Sequence, residues 1–246
     1  MFKQLQIVLL VAIVIATLFT AWTEPGLFPG SLTEKLSNAI TLQRATTQPG
    51  IPTTTAQPNQ RIGIVAGHSG NDSGAVCSDA LGGYREVDIN LNVASLAREI
   101  LIKAGYDVDL LAEFDPRLSA YHAIALVSIH SDSCEYVNDQ ASGFKLSPAI
   151  STKYPEQAAR LNACIRTRYE EATGLQFHSG SVTGDMTNYH AFTEISRDTP
   201  AVIIETGFMN LDREILTQHP DVIANGIASG ILCFVRNEDI SSTPIP

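Results

Sequence analysis

The chain has few basic residues and contains no run of them. Its 246 residues include 16 Lys and Arg against 26 Asp and Glu, which gives a formal net charge of −10 at pH 7. A protein that binds nucleic acid needs clustered Lys and Arg to neutralise the phosphates. The composition therefore argues against a nucleic-acid-binding protein.

Cysteine is also scarce, with four residues and no CxxC pair. Four cysteines are too few for a disulfide scaffold in a chain of this length, and without CxxC pairs a cysteine-based zinc finger is excluded. No internal repeat is found. Hydrophobic residues make up 44% of the chain and charged residues 17%, so the chain can bury a packed core.

One long uncharged run stands at the N-terminus. Residues 4–23 carry no charge, with Lys3 before them and Glu24 after them. Such a run can span a bilayer as a helix. Residues 1–23 are therefore either a cleavable signal peptide or an uncleaved signal anchor, and the lack of a clear small-x-small site before Glu24 slightly favours the anchor. Both alternatives predict an exported, extracytoplasmic protein, and the anchor also predicts contact with the membrane.

The composition then divides the rest of the chain. Residues 24–60 are predicted to be a spacer that ends in a flexible linker rich in Thr, Pro and Gln. Residues 237–246 are predicted to be a disordered tail, because they are polar and contain two prolines. The interval 61–236 remains as one folded domain.

Within that domain, short apolar runs alternate with segments of helical period. Strands are predicted at 62–66, 107–111, 123–129, 143–146 and 201–204, and helices at 86–104, 155–173 and 220–235. This alternation predicts an α/β domain with a mostly parallel sheet and helices on both faces.

Three of the predicted strands are followed by an ionisable residue: His130 and Glu205 come directly after their strands, and His68 comes one glycine later. Because ligands of parallel sheets bind outside the carboxyl ends of the strands, we expect these side chains to meet at one edge. Glu86, at the start of the first long helix, can reach the same place, since the loop before it is rich in Gly, Ser, Asp and Asn.

Two histidines and a carboxylate are a known ligand set for catalytic zinc, and a second carboxylate can then serve as the base. The spacing matches no local motif such as HExxH, so ordinary structural roles stay open. A lone histidine at a strand end is more often a hydrogen-bonded structural residue, and Glu86 could be a solvated residue of a first helical turn. Glu205 directly follows four apolar residues, where a carboxylate is costly unless it is paired.

Four segments carry a resemblance to a known family. They are GIVAGHSGNDSGAV (63–76), REVDINLNVA (85–94), LVSIHSDS (126–133) and PAVIIETGFMN (200–210). In this order they resemble the zinc-dependent N-acetylmuramoyl-L-alanine amidases of bacterial cell-wall turnover, the amidase 3 family. Two departures are visible. VAGHSG stands where the family usually has DPGHGG, and SIHSD stands where SIHAN is usual, so Asp132 replaces an asparagine.

The resemblance implies a single catalytic domain with a mostly parallel sheet of about six strands. It implies one Zn²⁺ ion held by His68, Glu86 and His130, with Glu205 as the catalytic residue. The implied reaction is hydrolysis of the amide between N-acetylmuramic acid and L-alanine in peptidoglycan. Asp132, His190 and Asn90 are expected to contact the substrate.

The expected partners are peptidoglycan or muropeptides, with activator proteins left open, and the chain is expected to be a monomer. Two alternative functions remain at this stage. One is a zinc peptidase or amidase that acts on another exported amide, and the other is a non-catalytic module that binds or regulates the cell wall. Export favours oxidised cysteines, so Cys77–Cys134 and Cys164–Cys233 bridges are predicted, with four free thiols as the alternative.

Overall fold

The structure, a computed structural model, describes residues 60–240. The predicted leader, the spacer up to residue 59 and residues 241–246 of the tail lie outside the described residues. Among residues 60–240, no helix combines the length and the apolar character needed to cross a membrane.

The described residues form five strands and six α-helices. The strands are β1 (Arg61–Ala66), β2 (Asp107–Ala112), β3 (Ala125–Asp132), β4 (Lys145–Pro148) and β5 (Ala201–Phe208). The α-helices are α1 (Glu86–Lys103), α2 (Pro155–Thr173), α3 (Gly184–Thr187), α4 (Ala191–Glu194), α5 (Arg213–Gln218) and α6 (Pro220–Val235). Three short 3-10 helices lie at Asp79–Leu81, Pro116–Leu118 and Ser179–Ser181.

The strands form one sheet in the order β2-β1-β3-β5-β4. Four strands are parallel, and β4 pairs antiparallel with β5 at one edge. The predicted α/β class is confirmed, but the sheet in residues 60–240 has five strands where about six were expected. The segment between α2 and the 3-10 helix at Ser179–Ser181 makes one isolated bridge, between Phe177 and Phe144, and forms no strand.

The two faces of the sheet are covered unequally. One face packs against the three long helices α1, α2 and α6 in a single buried cluster. The other face is covered by shorter elements, and its buried residues include Leu118, Met186, Tyr189 and Phe192. Successive residues of a strand point to opposite faces, so every second residue of β3 and β5 lies under the short elements. His130 and Glu205 point to this face, at the carboxyl ends of β3 and β5.

The long helices begin and end where the sequence has the appropriate residues. α1 carries two acidic residues in its first turn, which the helix dipole favours. α2 ends at Gly174, whose φ of 70° suits glycine, and α6 begins at Pro220. α2 and α6 pack closely, because a Cβ atom on Gly230 would lie 2.5 Å from the Cα atom of Ile165. The Cys164–Cys233 disulfide joins the same two helices.

Candidate metal centre

His68 lies in the tight loop that follows β1. Its backbone has a φ of 64°, a left-handed conformation that is uncommon for a residue other than glycine. The backbone N–H of His68 donates to Glu113 Oε2 at 2.7 Å, and the ring Nδ1 lies 2.6 Å from Asp72 Oδ1. These two contacts leave the Nε2 atom of His68 to face Glu86.

His130 and Glu205 lie inside strands, which corrects the prediction that both follow a strand end. The apolar runs stop at Ile129 and Ile204, but the backbone ladder continues because the two strands go on pairing beyond them. β3 therefore extends to Asp132 and β5 to Phe208. The apolar residues therefore predict only the first part of each strand, because the polar residues that follow also form backbone hydrogen bonds within the sheet.

Glu86 is the first residue of α1 and is buried, and both of its carboxylate oxygens have several partners. Oε1 accepts hydrogen bonds from the side chain of Asn90 at 3.1 Å and from the backbone N–H of Ser131 at 3.2 Å. Oε2 accepts the backbone N–H of Ala75 at 3.0 Å. These contacts fix the carboxylate between the two histidine rings.

His68, Glu86 and His130 together offer ligand atoms that lie within 4.8 Å of one another. His68 Nε2 is 3.2 Å from Glu86 Oε2, and His130 Nδ1 is 3.2 Å from Glu86 Oε1. Two imidazoles around one carboxylate are a donor set that zinc favours. The three residues that the sequence selected are thus brought together in a form that fits a divalent ion.

Charge within the cluster agrees with this grouping. Burial alone would raise the pKa of Glu86, but hydrogen bonds with His130 and His68 hold that pKa well below its usual range. Burial alone would lower the pKa of His130, but its contacts with Glu113 and Glu86 raise the pKa to about 10. The buried carboxylates thus favour positive charge on the neighbouring imidazole rings.

Two glycines allow these side chains to approach the backbone. A Cβ atom on Gly67 would lie 2.4 Å from a carbon of the His130 ring. A Cβ atom on Gly74, where φ is 60°, would lie 2.5 Å from Glu86 Oε2. The glycines of the loop after β1 thus leave the space that the ligand side chains occupy.

Glu205 lies between His130 and Lys145 across the sheet, since it is the register partner of each on the two neighbouring strands. The residue is partly exposed, yet its Oε2 atom is enclosed and has no hydrogen-bond partner. Burial raises the pKa of Glu205 to about 7, against the opposing effect of His130. A carboxylate with such a pKa can both accept and return a proton near neutral pH.

A cavity of about 350 Å³ opens beside these groups. Its lining includes the three candidate ligands and Glu205, together with Asp132, Asp185, Met186 and Tyr189. Asp132 forms an ion pair with the buried ammonium group of Lys145. The cavity thus combines the clustered ligands with acidic side chains from β3 and α3.

Asn90 and His190, the other two residues expected to contact substrate, have different positions. Asn90 is fully buried and donates to Gly67 O at 3.2 Å and to Glu86 Oε1. His190 contacts Glu113 through Nε2 at 2.8 Å and Glu194 through Nδ1 at 2.7 Å. Neither residue is among those that line the cavity.

Glu113 was missed in the sequence, although it follows β2 directly. It is 5% exposed, and besides His68 and His190 it accepts a hydrogen bond from the Tyr189 hydroxyl at 2.8 Å. Burial alone would raise the pKa of Glu113, but its contacts with His130 and His190 hold the pKa well below its usual range. The strand-end rule that selected His68 would also have found Glu113.

Both predicted disulfides are present. The Cys77–Cys134 bridge joins the loop between His68 and Glu86 to the segment that follows β3, with the two Cα atoms 5.3 Å apart. It therefore ties together the two parts of the chain that supply the candidate ligands.

Comparisons with solved structures support the fold. The N-acetylmuramoyl-L-alanine amidase AmiC2 of Nostoc punctiforme is 24% identical, with a TM-score of 0.57 over 72% of this chain and 97% of that one. The catalytic domain of CwlV, an N-acetylmuramoyl-L-alanine amidase from Bacillus (Paenibacillus) polymyxa var. colistinus, is 25% identical, with a TM-score of 0.55 over 72% and 98%. The CwlD amidase from Clostridioides difficile, solved in complex with the GerS lipoprotein, is 22% identical, with a TM-score of 0.58 over 73% and 100%.

A comparison with curated proteins finds no matching sequence. The amidase 3 family model, described as N-acetylmuramoyl-L-alanine amidase, matches residues 62–233. That interval contains all three candidate ligands and Glu205, and it covers most of the chain. On the combined evidence of the family match, the fold and the clustered site, this chain belongs to the N-acetylmuramoyl-L-alanine amidase family of peptidoglycan hydrolases.

Proposed function

We propose that this amidase hydrolyses its substrate with one zinc ion held by His68, Glu86 and His130 and with Glu205 as the catalytic base. The observation that carries the assignment is the grouping of the three ligand atoms within 4.8 Å beside an enclosed carboxylate oxygen that has no partner. When bound, zinc would polarise the scissile carbonyl and lower the pKa of the attacking water.

In the mechanism, Glu205 accepts the proton of the water that attacks the carbonyl carbon. It then passes this proton to the nitrogen of L-alanine as the C–N bond breaks. The position of Glu205 in β5, opposite His130, holds the base beside the ligand cluster. Lys145 favours the ionised form of Glu205, and Asp132 opposes it.

The segment 184–190 supplies the far wall of the cavity through Asp185, Met186 and Tyr189. We assign Asp132 to the substrate side because its side chain lines the cavity, while Asn90 orients Glu86 and His190 supports Glu113. The catalytic domain is proposed to span 61–236, with export through residues 1–23 and action on the cell wall outside the cytoplasm.

The test uses the full-length chain, intact sacculi and purified muropeptides. Cleavage releases a free L-alanine amino terminus, which mass spectrometry detects together with the peptide-free glycan. We expect Glu205→Gln to lose this activity and to keep its zinc, as measured by elemental analysis, while Glu156→Gln, an exposed carboxylate change on α2, leaves both unchanged. Full activity of Glu205→Gln would contradict the base assignment.

A substrate panel separates the other functions. Cleavage of plain peptides at the rate of muropeptides would favour a general zinc peptidase. Zinc binding without any cleavage of sacculi or muropeptides would favour a non-catalytic wall-binding module.

A further inference from the structure

Glu113 has a set of contacts that the proposed mechanism does not use. Its carboxylate is buried directly after β2, and its two oxygens face different parts of the site. Oε2 lies against the His68 backbone and the His130 ring, while Oε1 lies against the Tyr189 hydroxyl and the His190 ring. A buried carboxylate with four polar neighbours from three segments of the chain is a strong constraint on the geometry of all of them.

The His130 ring is placed between two carboxylates. Its Nδ1 atom lies 3.2 Å from Glu86 Oε1, on the side of the ligand cluster. Its Nε2 atom is buried, lies 3.3 Å from Glu113 Oε2 and makes no hydrogen bond of good geometry. Metal-binding histidines generally donate their second ring N–H to a carboxylate or carbonyl, which fixes the tautomer and the ring orientation.

His68 shows the same arrangement with a weaker partner. Its Nε2 atom faces Glu86 and its Nδ1 atom faces Asp72. The Asp72 side chain is 55% exposed, whereas that of Glu113 is 7% exposed. Because water screens an exposed charge more than a buried one, Glu113 is the more effective of the two carboxylates.

We propose that Glu113 is the positioning residue of the metal centre, holding His130 so that Nδ1 faces the ion and Nε2–H points to the Glu113 carboxylate. Through Tyr189, which lines the cavity, the same carboxylate joins the ligand cluster to the substrate wall. This inference rests on the proposed zinc site.

The first test measures zinc affinity by competition with a chromophoric chelator, using the full-length chain. We expect Glu113→Gln to bind zinc about 10- to 100-fold more weakly than the wild type, the usual effect of losing an outer carboxylate. The matched control is Glu194→Gln, which removes the other carboxylate on His190 but contacts no ligand residue. Its zinc affinity should equal that of the wild type, and an unchanged affinity of Glu113→Gln would overturn the proposal.

The second test uses the wild-type protein and so does not depend on how well the variant folds. Long-range ¹H–¹⁵N NMR spectra of the zinc-loaded protein report which ring nitrogen of His130 carries a proton. We expect a metal-bound Nδ1 and a protonated Nε2 that is protected from solvent. Coordination through Nε2 would overturn the proposal while leaving the zinc site intact, whereas a wild-type chain that binds no zinc would overturn the zinc site and this inference with it.

Discussion

His130 and Glu205 are register partners on the adjacent parallel strands β3 and β5. Neighbouring strands lie about 4.8 Å apart, and their spacing is fixed by backbone hydrogen bonds. The backbone hydrogen bonds of the sheet thus set the distance between the candidate metal ligand and the candidate base, because neither residue lies in a loop.

The raised pKa of Glu205 makes the stability of the metal-free protein depend on pH. Between its ordinary value of 4.5 and the folded value of about 7, the folded protein holds a proton that the unfolded chain has released. The contribution of Glu205 to the free energy of unfolding therefore falls as pH rises through this window. We expect Glu205→Gln to gain stability over the wild type in urea unfolding at about pH 8 but not at about pH 5. A difference that does not change with pH would contradict the burial of this carboxylate.

Zinc binding should compete with protons. The pKa of His130 is raised to about 10 in the metal-free protein, and that of His68 is raised mainly by its hydrogen bond with Glu86. Both rings must be free of the proton on the ligating nitrogen before they can bind an ion, so binding releases protons and apparent affinity rises as pH rises. Calorimetry in buffers of different ionisation enthalpy measures this release. Binding with no release of protons would show that the imidazoles are not ligands.

Gly67→Ala is expected to disrupt the metal centre, because the new Cβ atom would overlap the ring of His130. The ring must move away from Glu86, and zinc affinity should fall by at least about tenfold, as with other disturbances of ligand orientation. Gly180→Ala is the matched control, since a Cβ atom there meets nothing within 4 Å. Chelator competition on both variants makes the comparison, and equal affinities would be inconsistent with the packing described for Gly67.

The two disulfides should differ in their effect on the site. Replacing both cysteines of either bridge with serine is expected to lower the free energy of unfolding by about 2–4 kcal/mol. Only loss of Cys77–Cys134 should also weaken zinc binding, because this bridge connects the segments that supply the ligands. Loss of Cys164–Cys233, which joins α2 and α6, should leave zinc affinity unchanged. Denaturant unfolding and zinc titration of the two double variants test this separation.

Much of the fold follows from the sequence because the apolar pattern is strong where the elements are long. The predicted bounds of α2 and α6 agree with the structure, and β1 differs by one residue. The ends of β3 and β5 were missed because polar residues such as His130 and Glu205 continue the backbone ladder. β4 was shifted by two residues, since a short antiparallel edge strand has little pattern of its own.

The candidate site could be predicted because His68, His130 and Glu205 stand at or just beyond the end of an apolar run, and Glu86 opens the helix that follows the first of these runs. Glu205 after four apolar residues is the clearest example. Glu113 also follows a predicted strand, but the sequence does not show that it will lie against His130, nor that Lys145 will pair with Asp132. The sequence around a single charged residue does not show which distant side chain will be its partner in the folded protein.

The central place of β3 in the sheet has one more consequence. This strand has a hydrogen-bonded neighbour on each side, whereas the wall opposite it is the segment 184–190, whose one helix, α3, has four residues. Local unfolding of a short segment costs less free energy than opening of a central strand. We therefore expect the backbone amides of the wall to exchange with solvent faster than those of β3. A bulky glycan-linked peptide could therefore be admitted and released by local opening of one side of the cleft, without disturbing the residues that perform the chemistry.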